Sequence, residues 1–206
     1  LQLKDVVQKE GGETSLQHKI VGTVFYEAST RTACSFKAAA MRLGANNIHV
    51  DSEGNNSLKK GETLEDTIRC LECYTDLIVL RHPQTGSVSR VIQFAEKPIL
   101  NAGDGVGEHP TQALLDVFTI YDELIVQSKP KSTLTVVLLG DLKNGRTVHS
   151  LARLLCATRG ILWQDQLILR YCAPNGLELP VDVQDYCNHC DGNIVQENFA
   201  SLPEAS

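Results

Sequence analysis

Residues 27–36, EASTRTACSF, set Ser29, Thr30, Arg31 and Thr32 in a row where a helical pattern begins. A single hydroxyl suffices to cap a helix, and a cation is disfavoured at the positive end of the helix dipole. The surplus of donors fits a bound anion. Backbone N–H groups at a helix N-terminus bind phosphate, hydroxyls add donors at short range, and a guanidinium offers a planar fork to phosphate oxygens. A plain cap beside a surface arginine is the alternative for these four residues taken alone.

The stretch NAGDGVGEHPTQALLD, 101–116, is more specific. Its glycines permit tight turns, and His109-Pro110-Thr111-Gln112 opens a helix with proline near the first position. His109 and Gln112, three apart, can address one small ligand. A neutral histidine donates to a carbonyl oxygen, and glutamine accepts from an amide NH2. A capping loop with a hydrogen-bonded histidine is the blander possibility. In GDLKNGRTVHS, 140–150, Arg146 stands at a helix start, placed for a carboxylate or phosphate, while His149 one turn on reads as structural. This segment lacks G-x-G-x-x-G, which argues against a nicotinamide site. NNSLKKGET, 55–63, carries two lysines and by itself reads as a solvated loop.

Positioning these groups requires strands and helices in alternation. KIVGTVFYEA (19–28) reads as a buried strand, followed by a helix from Thr30 to Leu43 that stops at Gly44. NIHVDS, DLIVLRH and KPILNAG read as strands, and ETLEDTIRCLECY, SVSRVIQFAE and TQALLDVFTIYDEL as helices. QSKPKST (127–133) is the expected linker, giving domains 1–128 and 129–206. Beyond it, TLTVVLLGD, QLILRYCAP and NIVQENF are strand-like, separated by helical GRTVHSLARLLCAT and LPVDVQDYCNHC. The pattern predicts an α/β protein with parallel sheets covered by helices. In such sheets ligands bind beyond the carboxyl ends of the strands. Ser29–Thr32, Arg81 with His82, the 101–112 segment and Asp141–Arg146 all follow strands.

The 206 residues carry a net charge of −6, so no electrostatic footprint points to nucleic acid or an acidic membrane surface. No apolar run reaches the roughly 20 residues of a membrane span, and no signal peptide is visible. The expected location is the cytoplasm, with the seven cysteines reduced. Cys70/Cys73 and Cys187/Cys190 have Cys-x-x-Cys spacing. Structural zinc is the sharp reading of such pairs, but Cys70 and Cys73 fall inside the helical pattern ETLEDTIRCLECY without a glycine or proline knuckle, and these thiols are read as helix residues. No metal or other cofactor is expected. Because the chain opens on Leu1, it is expected to be an excerpt or a processed product.

EASTRT, SLKKGET, LRHPQ, NAGDGVGEHPTQALLD and GDLKNGRTVHSL, in this order and spacing, resemble the aspartate carbamoyltransferases over roughly residues 19–180. The wording GDGVGEHPTQALLD is most similar to the carbamoyltransferase segment of eukaryotic multifunctional pyrimidine proteins, which are fused to carbamoyl phosphate synthetase and dihydroorotase. The resemblance implies two parallel-sheet αβα domains of the aspartate/ornithine carbamoyltransferase fold, the second incomplete. It implies transfer of the carbamoyl group of carbamoyl phosphate to L-aspartate, giving N-carbamoyl-L-aspartate and phosphate in pyrimidine biosynthesis. Ser29, Thr30, Arg31 and Thr32 would then hold phosphate, Arg81 would bridge phosphate and the carbamoyl oxygen, and His109 and Gln112 would hold the carbamoyl group. Arg146 and Lys60 would bind aspartate. Ser57 and Lys60 would reach into a neighbouring subunit's site, which implies a homotrimer.

Two departures qualify the resemblance. Ala33 stands where many members have arginine. The family's later segments, including a second aspartate-binding arginine, have no counterpart, and loss of one partner of a held carboxylate costs about 2–5 kcal/mol. Weak or absent turnover of this stretch is therefore expected. A non-catalytic carbamoyl phosphate-binding or trimer-scaffold fragment, and a carbamoyltransferase for another amine such as ornithine, are the competing functions.

Overall fold

The computed structural model describes residues 2–51, 61–105, 107–126, 131–190 and 192–201. Two compact units divide the chain, Leu1–Gly107 and Glu108–Ser206. The first holds α1 (Gln2–Glu10), β1 (Ile20–Phe25), α2 (Thr30–Arg42), β2 (Asn46–Asp51), α3 (Leu64–Glu72), β3 (Leu77–His82), α4 (Ser87–Val91) and β4 (Ile99–Asp104). The second holds α5 (Pro110–Val126), β5 (Lys131–Leu139), α6 (Arg146–Cys156), β6 (Trp163–Cys172), α7 (Val181–His189) and β7 (Asn193–Phe199).

In the first unit the strands form one parallel sheet in the order β2-β1-β3-β4. The inner strands β1 and β3 are apolar and buried on both sides, as a helix-covered parallel sheet requires, whereas edge strand β2 is largely exposed or half-buried. Alternation along β3 splits the core between the two faces. Ile78 and Leu80 pack with Leu64, Ile68 and Leu71 of α3 and with Val88 and Val91 of α4, while Val79 packs with Phe25, Ala40 and Ala102. Helix α3 begins where Thr63 Oγ1 accepts from the Asp66 N–H at 3.1 Å, with Glu65 and Asp66 favourably placed in the first turn. The expected helix SVSRVIQFAE shortens to α4. Beyond it Phe94 N–H turns back to the Val91 carbonyl at 3.2 Å, and Pro98 disfavours helical backbone at the residue before it.

The second unit's sheet has the order β5-β6-β7, also parallel. Its β6 starts earlier than the apolar run QLILRYCAP, because Trp163 is fully buried and donates its indole N–H to the Leu155 carbonyl at 3.1 Å. Val117, Ile120, Tyr121 and Leu124 of α5 pack against this core. The compact units thus divide before α5, whereas the polar linker sits after it; residues 127–130 lie outside the described set. Among the described residues, no helix is long and apolar enough to cross a membrane.

Candidate functional site

In the first unit, the candidate groups lie at the carboxyl ends of adjacent parallel strands β1, β3 and β4. Ser29 is the N-cap of α2, yet its side chain makes no capping hydrogen bond. Among the described residues the side chains of Ser29, Thr30 and Thr32 have no hydrogen-bond partner, and Arg31 has no ion pair. Thr30 and Arg31 are exposed, and Ser29 and Thr32 are half-buried. No acidic residue occupies the first turn of α2. The positive end of the helix dipole and a guanidinium therefore share one place without an ion-pair partner among the described residues.

Arg81 sits where the β3–β4 register shifts between Leu80 and His82, an irregularity that re-aims a side chain. It is 6% exposed, and donates from Nη1 to the Ala102 carbonyl at 3.1 Å and from Nη2 to Glu27 at 2.8 Å. Its Nε is buried with no hydrogen-bond partner among the described residues. Burying a charged donor without a partner is costly, so that N–H is left wanting an acceptor. The backbone N–H of Tyr26 donates to the Arg81 carbonyl at 2.9 Å, which ties the arginine to the turn after β1.

A second set of contacts fixes the loops around Arg81. His82 Nδ1 accepts from the Gln84 N–H at 3.0 Å and lies 2.8 Å from Ser87 Oγ, while Asp104 accepts from the Gly86 N–H at 2.9 Å. Burial, the largest cause, holds the pKa of His82 below its ordinary 6.5. Gly105 donates to the His82 carbonyl at 2.9 Å with φ +55°. A Cβ on Gly105 would lie 2.5 Å from the Pro83 carbonyl oxygen, and one on Gly107 would lie 2.8 Å from Asp104. The LRHPQ and GDGVG segments are therefore interlocked, and the glycines make the close approach possible.

In the second unit, Pro110 opens α5, and His109 directly before it is 6% exposed. His109 Nδ1 accepts from the Gln112 backbone N–H at 3.3 Å, which puts the ring proton on Nε2 and makes that atom a donor. Gln112 spends an amide N–H on Asp116 at 3.0 Å, leaving its carbonyl oxygen as the acceptor. The backbone N–H of His109 donates to Ser150 Oγ at 3.1 Å, and Ser150 in turn donates to the Glu108 carboxylate. Arg153 pairs with Glu108 and, at 2.9 Å, with Asp182. Ser150 and Arg153 of α6 thus hold the residues on either side of the peptide entering α5.

Arg146 is the first residue of α6 and is half-buried. The turn before it is shaped by Asp141, which accepts from the Asn144 backbone N–H at 3.0 Å and from its side-chain amide. Those bonds, the side-chain one foremost, lower the Asp141 pKa. His149 is buried with Nε2 2.7 Å from the Leu142 carbonyl, the structural role its position predicts. Ser57 and Lys60 lie outside the described residues. Glu27, Asp104, Glu108, Ser150 and Arg153 escaped the sequence reading as site residues, although each is bonded to a predicted site residue or to the segment carrying it.

Residues 1–122 match the family model described as aspartate/ornithine carbamoyltransferase, carbamoyl-P binding domain. The chain belongs to this family. It is 49% identical over 201 residues to the multifunctional protein pyr1-3 of Dictyostelium discoideum, covering 98% of this chain and 8% of that protein. It is 40% identical to the aspartate carbamoyltransferase catalytic subunit of Dichelobacter nodosus, covering 95% of this chain and 54% of that subunit. Aspartate transcarbamoylase from Trypanosoma cruzi, solved with carbamoyl phosphate and aspartate, superposes with a TM-score of 0.86 at 39% identity, over 98% of this chain and 64% of that one. The α/β fold with parallel sheets is the carbamoyltransferase fold, and the chain spans about half the length of the bacterial subunit it matches.

Proposed function

We propose that the chain is the N-terminal part of an aspartate carbamoyltransferase, making N-carbamoyl-L-aspartate and phosphate from carbamoyl phosphate and L-aspartate in pyrimidine biosynthesis. The carrying observation is the start of α2, where the hydroxyls and Arg31 have no hydrogen-bond or ion-pair partner among the described residues. Relatives named for this activity, and a neighbour solved with both substrates, support the choice of reaction. Residues 1–128 would serve carbamoyl phosphate, and 129–206 would form part of the aspartate-binding domain.

In this reading Ser29, Thr30, Arg31, Thr32 and the N–H groups of α2 hold the phosphate. Arg81 Nε and the His109 Nε2–H approach the leaving-group and carbamoyl oxygens, and Gln112 accepts from the carbamoyl NH2. Arg146 takes an aspartate carboxylate, and Ser57 and Lys60 come from a neighbouring subunit of a homotrimer. The neutral amine of aspartate attacks the carbamoyl carbon and forms the C–N bond. The tetrahedral oxyanion is stabilised by Thr32, Arg81 and His109, each good donor contributing about 2.7–4 kcal/mol. The C–O bond to phosphate then breaks, phosphate leaves with the bonding pair, and the amine proton passes to phosphate or solvent. Holding both reactants in attack geometry supplies much of the remaining acceleration. No cofactor is required. A cytoplasmic location and fusion to carbamoyl phosphate synthetase and dihydroorotase belong to the same reading, the latter supported by the similarity to multifunctional proteins.

The partial span of the relatives favours one further reading, in which this stretch alone binds carbamoyl phosphate or joins trimers without turning over. Carbamoyl-aspartate formation from labelled carbamoyl phosphate separates them, measured on this chain and on the same protein extended downstream. Turnover by the extended form establishes the enzyme. Carbamoyl phosphate binding by both forms, with no transfer to aspartate by either, overturns it.

A further inference from the structure

Gln112 and Asp116, four residues apart, share one side of α5, and His109 stands just before the helix's first residue. The Gln112 side chain donates through Nε2 to Asp116 Oδ1 at 3.0 Å, and both residues are half-buried. Its Oε1 has no hydrogen-bond partner among the described residues. An amide side chain carries donors on one edge and an acceptor on the other, and half a turn about its last bond exchanges them. A carboxylate only accepts. Turned round, Gln112 would set its oxygen against the Asp116 oxygen. The carboxylate therefore decides which edge is left for a ligand.

We propose that Asp116 is a specificity-determining residue: by locking the Gln112 amide, it makes the site take an acyl phosphate that carries NH2 and refuse one that carries oxygen in its place. This role rests on the reaction proposed above, in which Gln112 accepts from the carbamoyl NH2 and His109 donates to the carbamoyl oxygen. His109 is held in a comparable way, since the Gln112 backbone N–H fixes its tautomer. One donor and one acceptor are thus presented in a set order at the start of α5. That order matches O=C–NH2 and opposes a carboxylate, which has no proton for Gln112 Oε1.

Without the lock, Gln112 offers either edge. An amide ligand selects the correct one at a cost of about twofold, because roughly half of the population already presents it. A carboxylate ligand gains a donor where it had met an acceptor. Loss of Asp116 therefore acts mainly on the wrong ligand, which it lets in, and only slightly on the right one. A Gln–Asp pair at this spacing that served the helix alone would act on both ligands alike.

Two stable phosphonates make the test. Phosphonoacetamide and phosphonoacetate differ only in NH2 against a charged oxygen on the carbon that stands for the carbamoyl carbon. Their dissociation constants are measured by calorimetry in the downstream-extended protein, unmutated and substituted at Asp116. The unmutated protein should favour the amide. Asp116→Asn should hold phosphonoacetamide within about twofold and tighten phosphonoacetate about tenfold, so that the preference collapses. Asp116→Glu, which still only accepts, should keep the preference, and Asp116→Ser replaces Asp116→Asn should that variant not fold. Removing the Asp116 charge also favours the more anionic ligand through space, whichever way the amide points. Gln112→Met separates the two effects, because in that background Asp116→Asn should leave the ratio of affinities unchanged. Both affinities falling together at an intact ratio, or a change of ratio that persists without Gln112, overturns the role of Asp116. An unmutated protein that does not favour the amide, or a preference untouched by Gln112→Met, overturns instead Gln112 as the carbamoyl acceptor, and the role of Asp116 with it.

Discussion

At the start of α2 the side chains of Ser29, Thr30, Arg31 and Thr32 make no internal hydrogen bond or ion pair among the described residues, whereas at the start of α5 almost every polar atom is engaged. Both are helix N-termini following strands or loops rich in small residues. They differ in what holds them. Among the described residues the α2 turn spends none of these side-chain donors within the protein, as the ligand role proposed for it requires. The α5 turn is fixed from within: Ser150 and Arg153 grip Glu108 and His109, and the Gln112 N–H fixes the ring tautomer. A group that must bind a highly charged ligand can be left to the ligand to order. A group that must present one proton to one oxygen has to be aimed beforehand.

That contrast can be broken most directly at α2. Arg31→Ala and Thr32→Val, made in the downstream-extended protein, are expected to cut carbamoyl-aspartate formation by about 10²–10³-fold each. Stability should change by no more than about 0.5 kcal/mol, as for surface changes that remove no internal bond. The measurement pairs steady-state rates with urea unfolding. A large loss of stability in either variant would mean that the turn is a structural cap after all.

Gly105 tests the rigid surroundings of Arg81. Its φ of +55° and the mere 2.5 Å that would separate an added Cβ from the Pro83 carbonyl oxygen leave no room for a methyl group. Gly105→Ala is expected to destabilise the first unit by about 1–3 kcal/mol, from backbone strain and displacement of the 83–86 turn. A lowered urea midpoint accompanied by weaker carbamoyl phosphate binding is the expected pair of results. Unchanged binding would separate the loop from the placement of Arg81.

Ser150→Ala sharpens the comparison from the other side. It strips the buried His109 N–H of its acceptor and Glu108 of a donor. The expected cost is about 1–3 kcal/mol of stability, with a fall in turnover because His109 loses its aim. Stability and activity should therefore fall together at Ser150 and separate at Arg31. Ser150→Thr, which keeps the hydroxyl, should recover most of both.

Much of the scaffold was legible in the sequence because it is written in local pattern. The apolar runs of β1 and β3, the stop at Gly44 and the proline opening α5 each depend on residues close together in the chain. The candidate ligand groups were legible for the same reason, as contiguous motifs. What supports them was not. Glu27 meets Arg81 across 54 residues and Ser150 meets His109 across 41, so no window of sequence contains both partners. The allegiance of α5 was hidden for a related reason. Its face of Val117, Ile120, Tyr121 and Leu124 is a generic apolar stripe, and nothing in the pattern says which core it will meet.

The smallest expected effect concerns protons at the interlocked loops. His82 Nδ1 accepts from the Gln84 N–H, and burial is the main reason its pKa lies below 6.5 in the folded protein. The unfolded chain therefore takes up a proton more readily than the folded one as pH falls, and the slope of stability against pH is positive in that window. The contribution is fully present above about pH 6.5 and is lost as pH drops through the unfolded value towards the folded one. His49, lowered likewise by burial, acts with the same sign. Asp76, Asp141 and Glu178 are lowered by hydrogen bonds and lose their contributions only in the more acidic carboxylate range. Urea midpoints should thus decline gently between about pH 7 and pH 5.5 before any steeper acid transition. His82→Gln, which retains an acceptor without a titrating ring, should flatten part of that gentle decline and leave the α2 turn's phosphate affinity alone. A slope unchanged by the substitution would mean that the loops around Arg81 accommodate a charged ring, and that the rigidity contrasted with α2 is looser than the hydrogen bonds imply.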